Sequence, residues 1–290
     1  MDDKLHNMKK QHENIPIPDE LNSIVKRAIK KRKQRRTAVQ SIVGTAAASI
    51  LLVTGINTSP AFASAVADVP VIGKLVKVIT ISGYGEGNDS SEAHIQTPAI
   101  TGLDNDPLQE SLNSKYAEEN KKLYESFKTE VEELEKSGDA HMSLDSGYKV
   151  VTNNERLLTL SRYVVTTAGS SNETRTYDTI DKQENLVITL PSLFKDDSFI
   201  QVISENIKQQ MVQQMKDDPN KIYWVEPSKV DPVTPFEHIA KDQSFYINED
   251  GKLVISFNKY DVAPGYMGVA EFIIPTEVLS EVLVSHEYIK

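Results

Sequence analysis

Side chains able to act as nucleophile, base or metal ligand are present in this sequence, but they are not grouped. The six histidines are His6, His12, His94, His141, His238 and His286, and their spacing matches no metal-ligand pattern. There is no cysteine, which excludes disulfides and thiol chemistry. No H-E-x-x-H, G-x-S-x-G or phosphate-binding loop occurs. The 42 Asp and Glu residues offer many acid–base pairs, yet no two stand out, and a solvated surface accounts for them. The chain reads as a non-enzyme with no metal and no cofactor.

One stretch carries chemistry as a substrate. After Pro60 the sequence runs Ala61-Phe62-Ala63-Ser64-Ala65-Val66-Ala67, three overlapping A-x-A patterns ending at Ala63, Ala65 and Ala67. Small side chains at this spacing suit the pocket of signal peptidase, and Pro60 helps to end a preceding helix. The stretch is either the end of an ordinary cleaved signal peptide or a usable cut site behind a retained anchor. The 36 residues before the apolar segment favour the anchor.

The elements that position this cut site follow from charge. Residues 1–36 hold eleven Lys and Arg against five Asp and Glu, residues 37–67 hold none, and residues 68–290 carry a formal net charge of -16. Thr37–Ile56 is an uncharged run of twenty residues; as a helix it rises about 30 Å, the thickness of a bilayer core. Lys30-Lys31-Arg32-Lys33-Gln34-Arg35-Arg36 stands directly before it. The positive-inside rule then keeps the N-terminus in the cytoplasm and exports the rest, as a single-pass protein of the cell membrane. A buried core helix is the alternative, and the basic cluster argues against it. Topogenic charge also explains that cluster without a nucleic-acid partner.

Within the cytoplasmic tail, Pro18-Asp19-Glu20 opens a helix with Asp19 as candidate N-cap. Leu21, Ile24, Val25, Ala28 and Ile29 fall on one stripe at helical spacing. So short a segment builds no core of its own. The stripe therefore meets a partner protein or, helped by Lys26 and Arg27, the membrane surface.

Beyond the cut site, the 57–81 segment ends in DVPVIGKLVKVITI, either a short amphipathic helix or a first strand. Residues 82–97, rich in Gly, Ser and acids, read as a linker. A first module, 98–192, begins with a helix from Asp106-Pro107 to about Lys136, with Leu108, Leu112, Tyr116, Leu123, Phe127, Val131 and Leu134 on one face. Strands follow at 141–152, 157–168, 174–181 and 186–190, with Ala168–Asn172 as a hairpin loop. A second module, 193–290, has a helix over Asp197–Asp217, a hairpin around Asn248-Glu249-Asp250-Gly251, a loop at Ala263–Gly268, a strand at Val269–Ile274 and a last helix from about Thr276. The whole is an α+β ectodomain, with antiparallel sheets and packed helices, behind one transmembrane helix and a short helical tail.

Five segments, VPVIGKLVKVIT, SLFKDD, QMKDDPNKIYW, LVISFNKYDVAPGYMG and FIIPTEVLSEVL, give the chain a resemblance to the RsiV-type anti-sigma factors. The resemblance spans nearly the whole chain and is strongest in the C-terminal half. It implies a tail that sequesters an extracytoplasmic-function sigma factor through Leu21, Ile24, Val25, Ala28 and Ile29. It implies an ectodomain that binds lysozyme, after which signal peptidase and then a site-2 intramembrane protease cut the anchor. The family grips the lysozyme cleft with loops. Here these correspond to Pro264, Gly265, Tyr266 and Met267, and to Ser170 and Ser171. Pro264 and Gly265 shape a turn that either projects Tyr266 or buries it. A membrane-anchored cell-wall-binding or lysozyme-inhibitor protein without a signalling role is the alternative.

The topology is checked with reporter fusions. A reporter after Lys290 is expected outside the cell and one before Met1 inside; both on one side overturns the arrangement.

Overall fold

The computed structural model describes residues 76–87, 91–136, 141–227 and 233–290. The tail, the span Thr37–Ile56 and the Ala61–Ala67 stretch lie outside the described residues. Among the described residues no helix is long and apolar enough to cross a membrane.

The first half of the fold is a six-stranded sheet in simple sequential order: β1 (Lys77–Gly87), β2 (Ser91–Thr101), β3 (Met142–Asn153), β4 (Leu157–Ala168), β5 (Ser170–Asp181) and β6 (Leu186–Ile188). All neighbours are antiparallel except β2 and β3, which run parallel over Ser91–Ile95 and Met142–Ser146. A parallel pair needs a long crossover, and α1 (Asp106–Lys136) supplies it. Asn105 caps that helix, its Oδ1 accepting the Leu108 N–H at 3.0 Å. Leu112, Tyr116 and Phe127 bury against Ile95, Ile100, Leu158, Leu160 and Ile180, as the helical spacing predicts.

The segment expected as a linker is largely strand: residues 82–87 lie in β1 and residues 91–97 in β2, and the two pair. Composition hid a period of two: Ser91, Ala93, Ile95 and Thr97 are buried, while Glu92 and His94 face solvent. Small side chains at the buried positions let α1 lie close. Beyond Ile95 the inner edge of β2 has no strand beside it, and two helix amides take its main-chain groups. Asn113 accepts from the Ile100 N–H at 2.7 Å and donates to the Ile100 carbonyl at 2.8 Å; Asn120 donates to the Gln96 carbonyl at 3.1 Å. Both asparagines are buried, so each bond is worth more as an avoided penalty than as a gain.

Deeper between α1 and the sheet lies a charged cluster. Lys115 Nζ meets Asp178 Oδ1 at 2.8 Å, Arg162 Nη2 meets Asp178 Oδ2 at 3.2 Å, and Arg162 also pairs with Glu119. The Arg162 guanidinium stacks on the Tyr116 ring at 4.7 Å. Burial alone would raise the Asp178 carboxyl, but the Arg162 and Lys115 charges outweigh it and hold it below its ordinary range.

The second half places α2 (Ser198–Asp217) over a three-stranded antiparallel sheet of β7 (Phe245–Ile247), β8 (Leu253–Phe257) and β9 (Ala270–Ile274). Phe199, Ile203, Ile207 and Met211, four residues apart, are fully buried against alternate residues of these strands. The expected last helix shrinks to one turn, Thr276–Leu279, called α3 here. The chain then turns so that Leu283 bridges Phe194 and Ile289 enters the core. Tyr288 donates to the buried Asp181 at 2.8 Å, and Arg156 Nε meets the same carboxylate at 2.8 Å. The result is an α+β fold with one antiparallel and one mixed sheet.

Breaking the Asp178 cluster should be costly. Asp178→Ala leaves Arg162 with one carboxylate fewer in a buried place and is expected to cost roughly 3–5 kcal/mol in urea unfolding. Both Asp178 and Asp181 have carboxyls held below their ordinary range: burial opposes this, but ion pairs with Arg162 and Lys115 overcome it at Asp178, and hydrogen bonds from the Glu184 N–H, the Tyr288 and Arg156 side chains and the Gln183 N–H do so at Asp181. Stability from a depressed carboxyl is present above the unfolded value, near pH 4, and is lost as pH falls through the folded one. The urea midpoint is therefore expected to fall below about pH 4, less steeply in Asp178→Asn.

Candidate functional site

The loop between β8 and β9 forms because its backbone cannot continue a strand. Asn258 and Asp261 close a turn on each other, the Asn258 N–H donating to Asp261 Oδ2 at 2.9 Å and the Asp261 N–H to the Asn258 carbonyl at 3.0 Å. Tyr260, inside that turn, has φ of 72°, an unusual conformation for an aromatic residue. Val262 and Ala263 are buried and tie the loop to the core. Pro264 then leads into a single 3-10 turn, Gly265–Met267. Gly265 leaves room for the Tyr260 ring, because a Cβ there would lie 2.3 Å from that ring and one of the two would have to shift.

This turn projects Tyr266, whose side chain is 65% exposed. The buried alternative for this residue is thereby excluded. Its hydroxyl donates to the Asn220 carbonyl at 2.8 Å, so the ring is held at its far end while its faces stay open. Met267, next to it, is half-buried and packs on the second core. Asn220 belongs to the segment after α2, which is itself fixed to the loop by the Trp224 N–H donating to the Val262 carbonyl at 2.8 Å.

The second expected loop is less of a loop than its composition implies. β4 and β5 remain paired up to Ala168 and Ser170, and only Gly169, at φ of 76°, turns the chain. A glycine takes this left-handed conformation freely. Ser170 is exposed and Ser171 half-buried.

The two elements are neighbours. Lys259 Nζ donates to Ser171 Oγ at 2.7 Å, and the Lys259 N–H donates to the Glu173 carbonyl at 3.1 Å. Pro264, Gly265, Tyr266 and Met267 are thus linked to Ser170 and Ser171 through Lys259 and Tyr260. Residue spacing missed Lys259, Tyr260 and Asn220. The Asn258-Lys259-Tyr260-Asp261 string signals a turn, but nothing in it reports a lysine reaching a strand 88 positions away. The Ala61, Ala63, Ala65, Ala67 set and the Leu21, Ile24, Val25, Ala28, Ile29 stripe lie outside the described residues.

The arrangement suits binding a surface. It offers one open aromatic ring, small hydroxyl side chains and rigid backbone, without paired titratable groups at reacting distance. Among the described residues no group of three or more His, Cys, Asp and Glu is placed to hold a metal ion. Among the described residues, cavities elsewhere, around Arg156 and Lys290, are small and lined mostly by polar side chains.

Residues 191–277, which include α2, the second sheet and the Tyr266 loop, match DUF3298, a family described as a protein of unknown function. The crystal structure of a DUF3298 member from Bacteroides fragilis aligns with a TM-score of 0.55 at 15% identity, covering 72% of this chain and 94% of that one; it shares the fold. The anti-sigma-V factor RsiV of Bacillus subtilis (strain 168) is 45% identical over 291 residues, 100% of both chains. At that identity over the full length of both proteins, the chain belongs to the RsiV family of anti-sigma-V factors.

Proposed function

We propose that this chain is a membrane-anchored anti-sigma factor that holds an extracytoplasmic-function sigma factor inactive and releases it when its exported domain binds lysozyme. The anti-sigma role rests on one observation, the 45% identity to RsiV across both whole chains. In this reading the stripe Leu21, Ile24, Val25, Ala28 and Ile29 contacts the sigma factor, and Thr37–Ile56 is the anchor. Signal peptidase cuts after Ala63, Ala65 or Ala67, and a site-2 protease then cuts the anchor within the membrane.

Two features support lysozyme as the signal. Lysozymes of this type are strongly basic, and the net charge of -16 over residues 68–290 would attract them and speed encounter. Tyr266 is an exposed aromatic on a braced turn, the kind of residue that anchors an interface once packed into a partner's cleft. Charge acts before contact and the ring after it, so the two contributions separate in kinetics.

The test combines binding with cleavage on the full chain in membranes. Signal peptidase is expected to leave the chain intact until egg-white lysozyme is added. Tyr266→Ala is expected to raise the lysozyme needed by about ten- to a hundredfold, the range of an aromatic hot spot, with an unchanged melting temperature because the ring lies outside the core. Cleavage that is equal with and without lysozyme overturns the sensor reading.

A further inference from the structure

The hairpin of β4 and β5 reaches past β6 on its outer edge, while on the inner side β3 stays paired with β4 as far as Thr167. β6 pairs with β5 only at Thr179–Asp181. Toward the tip, the outer edge of β5 meets the residues that follow β8 instead. The Arg175 N–H donates to Asn258 Oδ1 at 2.7 Å, and the Glu173 carbonyl accepts from the Lys259 N–H at 3.1 Å. One step nearer the tip, Ser171 Oγ is met by Lys259 Nζ at 2.7 Å. Beyond that point a Cβ added at Gly169 would have nothing within 4 Å.

Lys259 faces the other loop as well. Its ammonium lies 5.2 Å from the centre of the Tyr260 ring. That ring occupies the space beside Gly265 that a side chain would need, and Gly265 immediately precedes Tyr266. A short series of contacts therefore runs from Ser171 through Lys259, Tyr260 and Gly265 to Tyr266, joining the two sheets at the end where both loops emerge.

We propose that Lys259 is the positioning residue of this surface: it locks the β4–β5 hairpin tip and the Tyr266 loop into one rigid platform, so that a partner meets both at a fixed spacing. An unlocked tip would have to be ordered on binding, and the ordering of loops is subtracted from affinity. The identity of the partner rests on the lysozyme reading above; the locking itself does not.

The charge of Lys259 separates this role from a direct electrostatic one. Lys259→Met removes a positive charge from an acidic domain that meets a basic partner. On charge alone that change would strengthen binding. The locking role requires the opposite sign, with the loss in the dissociation rate.

The experiment uses the full chain in detergent, as wild type, Lys259→Met and Lys259→Arg. Hydrogen exchange is followed without ligand, and egg-white lysozyme dissociation is followed on an immobilised surface. In Lys259→Met, amides of residues 168–176 and 263–268 are expected to exchange about tenfold faster together, the scale of one lost hydrogen bond. Dissociation is expected to quicken by a similar factor, and Lys259→Arg to restore both. In a Ser171→Ala background, Lys259→Met should add little, because the bond is already gone. Unchanged exchange in either loop overturns the proposal, whatever binding does. Exchange that accelerates equally across α2 also overturns it, since Lys259 would then be an ordinary stabilising residue. A wild-type chain that does not bind lysozyme sinks the lysozyme reading alone, and the exchange data still decide the locking role.

Discussion

The alternation of side chains along β4 and β5 is the constraint on which the structure depends. Successive residues of a strand point to opposite faces, and here both faces of the lower hairpin are covered. Leu158, Leu160, Arg162, Asp178 and Ile180 face α1. Leu157 joins the core beneath α2, while Tyr177 stacks on Tyr246 of the second sheet with ring centres 5.0 Å apart. A slip of one residue in this pair would turn Arg162 and Asp178 away from each other's partners and present leucines to a face built from Thr159 and Thr179. The hairpin therefore joins the two halves of the fold.

Buried charge reinforces that register more than it adds stability. Arg162 and Asp178 lose much of their hydration inside the fold, and their attraction offsets that loss only with good geometry. Here Asp178 has both Lys115 and Arg162, and Arg162 has Glu119 and the face of Tyr116. Every partner comes from α1 or from the β4–β5 pair. Hydrophobic contact between α1 and the sheet would tolerate sliding along the helix axis; a set of matched charges does not. The same reasoning applies at the last residue of β5, where Asp181 gathers Arg156 and Tyr288. It thereby fixes the C-terminal segment to the first sheet.

These restraints have a functional consequence. The hairpin base is held by packing and by charge, while its tip extends to where the second sheet's loop carries Tyr266. A surface assembled from two sheets is only as well defined as the link between them. Under the sensor reading proposed above, rigidity at this surface lets binding energy act on the rest of the molecule instead of being spent on ordering loops.

Much of the architecture was legible from residue order. The period of 3.6 in α1 and α2, the strand-like runs of β3, β4 and β8, and the Asn-Glu-Asp-Gly turn each arise from local backbone preference, so each is written in consecutive residues. The turn at Pro264-Gly265 belongs to the same class. Local composition also misled: glycine and serine over 82–97 suggested a linker, because small residues that let a helix approach a strand look the same as residues that keep a chain flexible. What tertiary structure alone decided is contact between distant residues. Lys259 against Ser171, Asn113 on Ile100 and Tyr288 on Asp181 join positions whose spacing carries no periodic signal. Whether Tyr266 was core or surface was likewise open, since an aromatic after a Pro-Gly turn fits both. The physical reason is common to all of them: hydrogen bonds and ion pairs between separate elements depend on how those elements pack, and packing is a property of the whole chain rather than of any window within it.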